Sequence, residues 1–225
     1  MLKMNKSFVI TLIIIVLSSI FFTLQAQTFR IEAGYSQPRL YSNKMSHRYF
    51  NGIRMGGTVD FEIPQANFLT VQTGLSYSYA FSKNDVQKYY FSSNSDSIRI
   101  NTQGHSIDIP LHITASHKVF KVVRVFAFTG PSLNIGLHMS QKIETRITDG
   151  DGLQRLEDLG YKLGNSDLYD GRLRRFNLQL DAGAGAQWWK IQVKGGYSFG
   201  MNDLNKGNLH KQWQSGWFVS TAYEF

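Results

Sequence analysis

The sequence predicts an all-β chain: an eight-stranded antiparallel transmembrane β-barrel, closed as an up-and-down meander. Three observations carry this. Apolar and polar residues alternate with period two along eight segments, as half-buried strands require. Every charge inside those segments lies on one phase of its strand. The connectors alternate between long and short.

The chain has 225 residues, no cysteine and 18% charged residues. The missing cysteines exclude a disulfide scaffold and a thiolate metal site. Residues 1–26 read as a signal peptide. Lys3 and Lys6 form its basic start, the run 8–24 is apolar, and Ala26 offers a small residue for cleavage. The apolar run would also suit a retained membrane anchor. Residues 27–225 form the barrel domain. After residue 27 no run approaches the ~18 apolar residues of a spanning helix.

The eight segments fall at about 28–36, 52–63, 68–81, 104–115, 122–139, 176–187, 188–200 and 216–225. In the sixth, Phe176, Leu178, Leu180, Ala182, Ala184 and Ala186 share one face, and Asn177, Gln179, Asp181 and Gln187 share the other. The charges inside the segments are Arg30, Glu32, Arg54, Asp60, Glu62, Asp108, Arg124, Asp181, Lys190, Lys194 and Glu224. All oppose the phase of Ile31, Val59, Val71, Leu111, Val125, Leu180, Val193 and Val219. Such a face pattern suits a soluble barrel with its apolar side inward, or a membrane barrel turned inside out.

Three features favour the membrane. The connectors 37–51, 82–103, 140–175 and 201–215 are long, and those at 64–67, 116–121 and 187–188 are short, as external loops and periplasmic turns are. Aromatics on the apolar phase gather at strand ends: Phe29, Phe61, Trp189, Tyr223 and Phe225 at one level, and Tyr35, Tyr77, Tyr79, Phe81, Tyr197, Phe199 and Trp217 at the other. The chain ends on Phe225 with Tyr223 two before it, which resembles the assembly signal of barrels destined for insertion.

Five basic and six acidic residues in a narrow lumen should pair off, since eight strands leave room only for side chains. This charge network gives a plugged lumen; a gated ion path is the alternative. Pro110 and Pro131 each remove a ladder donor, so bulges are expected beside them. His112 is expected beside Arg124. No catalytic residue is assigned. Asp108 and His112 lie roughly 13 Å apart on an extended strand, and an enzyme would need His105, His138 and His210 to converge with acidic residues at the rim. Asp149 and Asp151 hint at a calcium loop, but Leu153 and Gln154 stand where a ligand and a glycine belong. No metal site and no cofactor are expected. In the third long connector, Leu153, Leu156, Leu159 and Leu163 have helical spacing. A short helix over about 152–159, capped by Asp151, would lay them over the barrel mouth; a strand-like extension of the hairpin is the alternative.

Formal net charge is +8, or +6 without Lys3 and Lys6. Much of the excess falls in the long connectors, including Arg39, Lys44 and Arg48, and suits anionic lipid headgroups. An exported barrel has no nucleic acid to meet. The expected partners are outer-membrane lipid, the barrel-insertion machinery and an envelope protein.

With the segments placed, Ile107-Asp108-Ile109-Pro110-Leu111, the run 128–133 (FTGPSL), the glycine-rich 181–187, the run 195–200 (GGYSFG) and the end 218–225 resemble the PorT-like outer-membrane β-barrel family. Asp108 stands where that family often has Glu. The resemblance implies an integral, non-enzymatic barrel of a Gram-negative outer membrane, with a structural, accessory-assembly or surface-binding role. The competing classes are an outer-membrane enzyme acting on envelope lipid and a narrow small-solute channel.

Overall fold

A computed structural model describes residues 26–43, 47–64, 66, 68–89, 96–145, 164–171, 173–207 and 211–225. Residues 1–25 of the predicted signal peptide and the predicted lid helix at 152–159 lie outside them, as do Asp149 and Asp151. Eight strands form the wall: β1 (Ala26–Ser42), β3 (Asn51–Glu62), β4 (Leu69–Tyr89), β5 (Asp96–Phe120), β6 (Val123–Thr145), β8 (Phe176–Trp188), β9 (Ile191–Gly200) and β10 (Gln212–Glu224). Two short strands are added outside it, β2 (Arg48–Tyr49) against β1 and β7 (Gly164–Asp167) against β6. Each wall strand pairs antiparallel with its neighbour. The first and last pair from Arg30↔Glu224 to Ser42↔Gln212, which closes the ring and leaves no open edge around it.

The barrel is polar inside and apolar outside. Ile31, Ile53, Leu75, Leu111, Val193 and Val219 are between 41% and 57% exposed, whereas Glu32, Gln72, His112, Lys194 and Ser220 are at most 5% exposed. Glu32 and Ile31, or Lys194 and Val193, are sequence neighbours, so the strand period alone sends one inward and the other out. A soluble barrel would bury the isoleucines and leave the charges in water. This one needs an apolar surrounding.

The three central strands outrun the membrane. β8, β9 and β10 have 13, 10 and 13 residues, whereas β4, β5 and β6 have 21, 25 and 23. A spanning strand needs about 9–11. The surplus rises at the long-connector end as one wall, and much of 82–103, read from sequence as a loop, is strand.

Register corrects the expectation about proline. The β5–β6 ladder holds one alignment from Ser106↔Gly136 to Lys118↔Arg124, across both Pro110 and Pro131. Gly130 makes this possible: a Cβ there would lie 2.2 Å from the Leu111 carbonyl oxygen. The irregularities fall instead at His105/Ser106 and Lys118/Phe120. At the first, Leu137 is the extra residue on β6. Beyond it the inward phase changes from even to odd numbers, so Met139, Gln141 and Ile143 turn inward.

Candidate functional site: a filled lumen and its outer mouth

The lowest layer of the lumen is built on Arg30. Its guanidinium pairs with Asp60 of β3 on one side and with Glu224 of β10 on the other, 2.8 Å from Nη2. Gln72 of β4 donates to Asp60 at 2.8 Å, and Gln187 of β8 donates to Glu224 at 2.7 Å. Side chains from five strands thus form one hydrogen-bonded belt. A buried guanidinium is tolerable only with such partners.

Above it, Lys194 Nζ of β9 lies 2.6 Å from Glu32 Oε2 of β1, and Arg54 Nη2 lies 4.0 Å from Glu32 Oε1. Lys194 also donates to Gln72 Oε1 at 3.4 Å, which ties the two layers together. Aromatic rings fill the rest of this level. Phe126, Phe128 and Phe218 cluster inside the barrel, with Arg54 4.8 Å over the Phe218 ring and Lys194 5.9 Å from that of Phe128. The rings enter because the facing strands carry glycine. A Cβ on Gly183 would sit 2.5 Å from Phe128 Cζ, and one on Gly185 2.4 Å from Phe126 Cζ. His112 stacks on Phe128 with centroids 5.1 Å apart, and its Nε2 lies 3.0 Å from Asp181 Oδ2.

A smaller polar layer follows. Asp108 accepts from Ser78 Oγ at 2.5 Å and from Asn134 Nδ2 at 2.6 Å, and Asn134 also reaches Ser106. A cavity of about 60 Å³ lies beside Asp108, Asn134, Gln179 and Arg54. That is room for about two waters.

An apolar cluster, the cap, packs at the mouth. Leu40, Phe50, Leu168, Leu173 and Leu204 form a buried cluster with Ala80, Met139 and Tyr169 packed against it. Leu168–Asp170 is a single 3-10 turn that follows β7. Tyr169 fits over Gly136, where a Cβ would lie 2.1 Å from the phenol oxygen. Backbone bonds tie the cap down, from Arg174 N to Leu204 O and from Leu204 N to Gln212 O, each 2.7 Å. Between cap and lumen a cavity of about 40 Å³ borders Asn177, the size of about one water.

Asp167 anchors the cap to β6. It accepts from Tyr169 N at 3.0 Å and Met139 N at 3.2 Å, and its Oδ2 lies 3.0 Å from His138 Nδ1. Partial burial works to raise its pKa, but these donors outweigh it and hold the carboxyl below its ordinary value. Burial, with Asp167 nearby, pushes the Tyr169 phenol up to about 12. Tyr169 therefore stays neutral, and Arg175 lies 5.0 Å over its ring.

Of the predicted lumen charges, Arg30, Glu32, Asp60, Asp108, Asp181 and Lys194 are buried, and Arg54, Glu62, Arg124 and Glu224 are half-buried. Lys190 is an exception. It lies in the Trp189–Lys190 turn between β8 and β9, and its ammonium sits 5.8 Å from the outward Tyr223 ring. His112 does not meet Arg124, which pairs with Lys118 and Gln187; it meets Asp181 on β8. Phe225 donates its N–H to Phe29 O at 3.1 Å, with the two rings 5.8 Å apart and Tyr223 5.2 Å from Phe225. His105 and His138 are cross-strand partners, but their rings diverge: His105 contacts Tyr77 and Tyr79, and His138 contacts Asp167. His210 lies outside the described residues. Among the described residues no group of three or more His, Cys, Asp or Glu side chains could hold a metal ion.

Residues 12–206 match the family model described as outer membrane protein beta-barrel domain. No curated protein matches the sequence. Among solved structures the chain is similar to Neisserial surface protein A, at 13% identity over 89% of this chain and 99% of that one, with a TM-score of 0.46. It is similar also to Ail, the attachment invasion locus protein of Yersinia pestis, at 13% identity over 89% and 100% with a TM-score of 0.39. The N-terminal β-barrel domain of Pseudomonas aeruginosa OprF gives 9%, 89%, 100% and 0.31.

Proposed function

The chain belongs to the outer membrane protein beta-barrel domain family, and from that premise we propose that it is a closed, non-enzymatic barrel of a Gram-negative outer membrane that carries a surface-binding face. The observation that supports this best is the filling of the lumen. Ion pairs, phenyl rings and amides occupy successive levels, and an apolar cap packs at the mouth. Conduction needs a continuous wet path, and side chains occupy the lumen at each of these levels. A sealed barrel does its work at its surfaces, and the long β4–β6 wall and the basic mouth face outward. In this reading the protein is exported by a cleaved signal peptide, its lipid contacts are made by the apolar belt, and Tyr223 and Phe225 serve insertion.

The test is planar-bilayer recording of the refolded mature chain. Silence over many insertions is expected, and discrete conductance steps would overturn the closed-barrel reading.

One observation favours a second reading, an enzyme acting on envelope lipid. His138 Nδ1 meets the Asp167 carboxylate at 3.0 Å, an orientation that suits a general base. Against it, the hydroxyl of nearby Ser140 donates to Asn165 and not to His138. Identical lipid mass spectra for envelopes with wild-type protein and with His138→Ala would count against the enzyme.

A further inference from the structure

Along the outer face of β1, Tyr35, Gln37, Arg39 and Tyr41 point the same way. Tyr35 belongs to the aromatic girdle, with Trp217 5.4 Å away. Six residues further on, roughly 20 Å along the strand, stands a second group of rings. Tyr41 stacks on its cross-strand partner Trp213 at 6.0 Å with planes 8° apart, and touches His47 at 4.9 Å. Its hydroxyl lies 3.4 Å from that of Tyr197.

Arg39 stands among these rings. Its guanidinium carbon lies 4.2 Å from the centroid of Tyr49, which is 50% exposed, and Nη1 reaches the Tyr41 hydroxyl at 3.5 Å. No carboxylate pairs with Arg39 among the described residues. Rings therefore hold the guanidinium in place without neutralising it, and most of its N–H donors remain for a planar or tetrahedral oxyanion. Lys211 and His47 nearby are exposed and add no negative charge. A fixed cation costs less ordering on binding than a free one.

We propose that Arg39, Tyr41, Tyr49 and Trp213 form a binding site for a phosphorylated sugar, presented by an outer-leaflet glycolipid. The rings offer faces to a sugar, and Arg39 offers the fork for its phosphate. The position commits the site to a membrane glycolipid: it lies on the lateral wall just beyond the girdle, where headgroup sugars lie in the outer leaflet. The inference rests on the surface-binding reading above and names its ligand.

The test uses the full mature chain, refolded in phosphatidylcholine nanodiscs and titrated calorimetrically with glucosamine 1-phosphate, glucosamine and inorganic phosphate. The phosphosugar is expected to bind saturably and at least tenfold more tightly than either fragment. Arg39→Ala should weaken it at least tenfold, and Arg39→Lys, which keeps the charge but loses the fork, by a smaller factor. Trp213→Ala should weaken it too. In a second arm, nanodiscs containing a phosphorylated glycolipid should leave the soluble sugar no site, whereas phosphatidylglycerol should not compete. Equal binding of phosphate and phosphosugar, equal binding by folded Arg39→Ala or Arg39→Lys, or full competition by phosphatidylglycerol would each overturn the proposal. A barrel silent in planar bilayers that fails to bind overturns this inference alone; one that conducts overturns the closed-barrel reading on which it rests.

Discussion

Lys194 of β9 and Glu32 of β1 meet at 2.6 Å inside the barrel, although β10 stands between their strands in the wall. Both side chains are at most 6% exposed. Removing one partner from such a pair leaves a buried charge without compensation. Glu32→Ala should therefore destabilise the barrel by about 3–5 kcal/mol. Replacing both residues by leucine should recover part of that loss, because Arg54 still loses its carboxylate. Urea unfolding in lipid vesicles, followed by tryptophan fluorescence, checks both. Equal stability of Glu32→Ala and wild type would mean the pair is hydrated.

The phenyl rings in the lumen make a second prediction. Gly183→Ala places a methyl 2.4 Å from the Gly195 carbonyl oxygen and 2.5 Å from Phe128 Cζ. The ring can move, but the backbone cannot. A loss of about 1–3 kcal/mol is expected for such overpacking, and Phe128→Ala in the same chain should not restore it. The temperature at which the folded band disappears on unboiled gels measures this.

These two sites show what the sequence made legible. Inside and outside could be read because each charge shares a phase with its strand's polar residues. Pairing between distant strands could not. Asp181 lies 69 positions from His112, and their meeting depends on the β6–β8 alignment and on Gly130. Phe126, Phe128 and Phe218 sit on the polar phase, and what accommodates them lies in glycines of other strands. Above the membrane the signal fades. Residues 82–89 and 96–102 carry polar side chains on both phases, so the upper ends of β4 and β5 read as a loop. The extra residue Leu137 then swaps the phase of β6, whereas the sequence places the expected bulges beside Pro110 and Pro131.

The cap should respond to acid. The Asp167 pKa is lowered in the folded protein, so its contribution is present above the unfolded value, about 3.9, and is lost as pH falls through the lower folded value. Hydrogen exchange at the amides of Tyr169 and Met139, which Asp167 accepts, should accelerate over that window relative to amides in β8. Asp167→Asn should show faster exchange already at pH 7. Unchanged exchange in the variant would remove Asp167 from the anchoring role.

Assembly gives a further prediction. Phe225 closes the last turn of the wall through Phe29 O and stacks its ring beside Phe29 and Tyr223. Deletion of Phe225, or Phe225→Asp, should lower the amount of folded barrel in the outer membrane several-fold. The comparison belongs in cells lacking periplasmic proteases, where degradation does not mask the effect; equal levels there would sink the insertion role.

The inside-out arrangement in a bilayer is tested most directly by nitroxide labels placed singly along β9 and β10, at Ile191, Gln192, Val193 and Lys194, and at Val219, Ser220, Thr221 and Ala222. Their accessibilities to dissolved oxygen and to a water-soluble nickel chelate should alternate with period two. Labels at Ile191, Val193, Val219 and Thr221 should collide with oxygen, and labels at Gln192, Lys194, Ser220 and Ala222 should be shielded from both. High nickel accessibility at Val193 and Val219 would contradict the account, because it would put the apolar face in water.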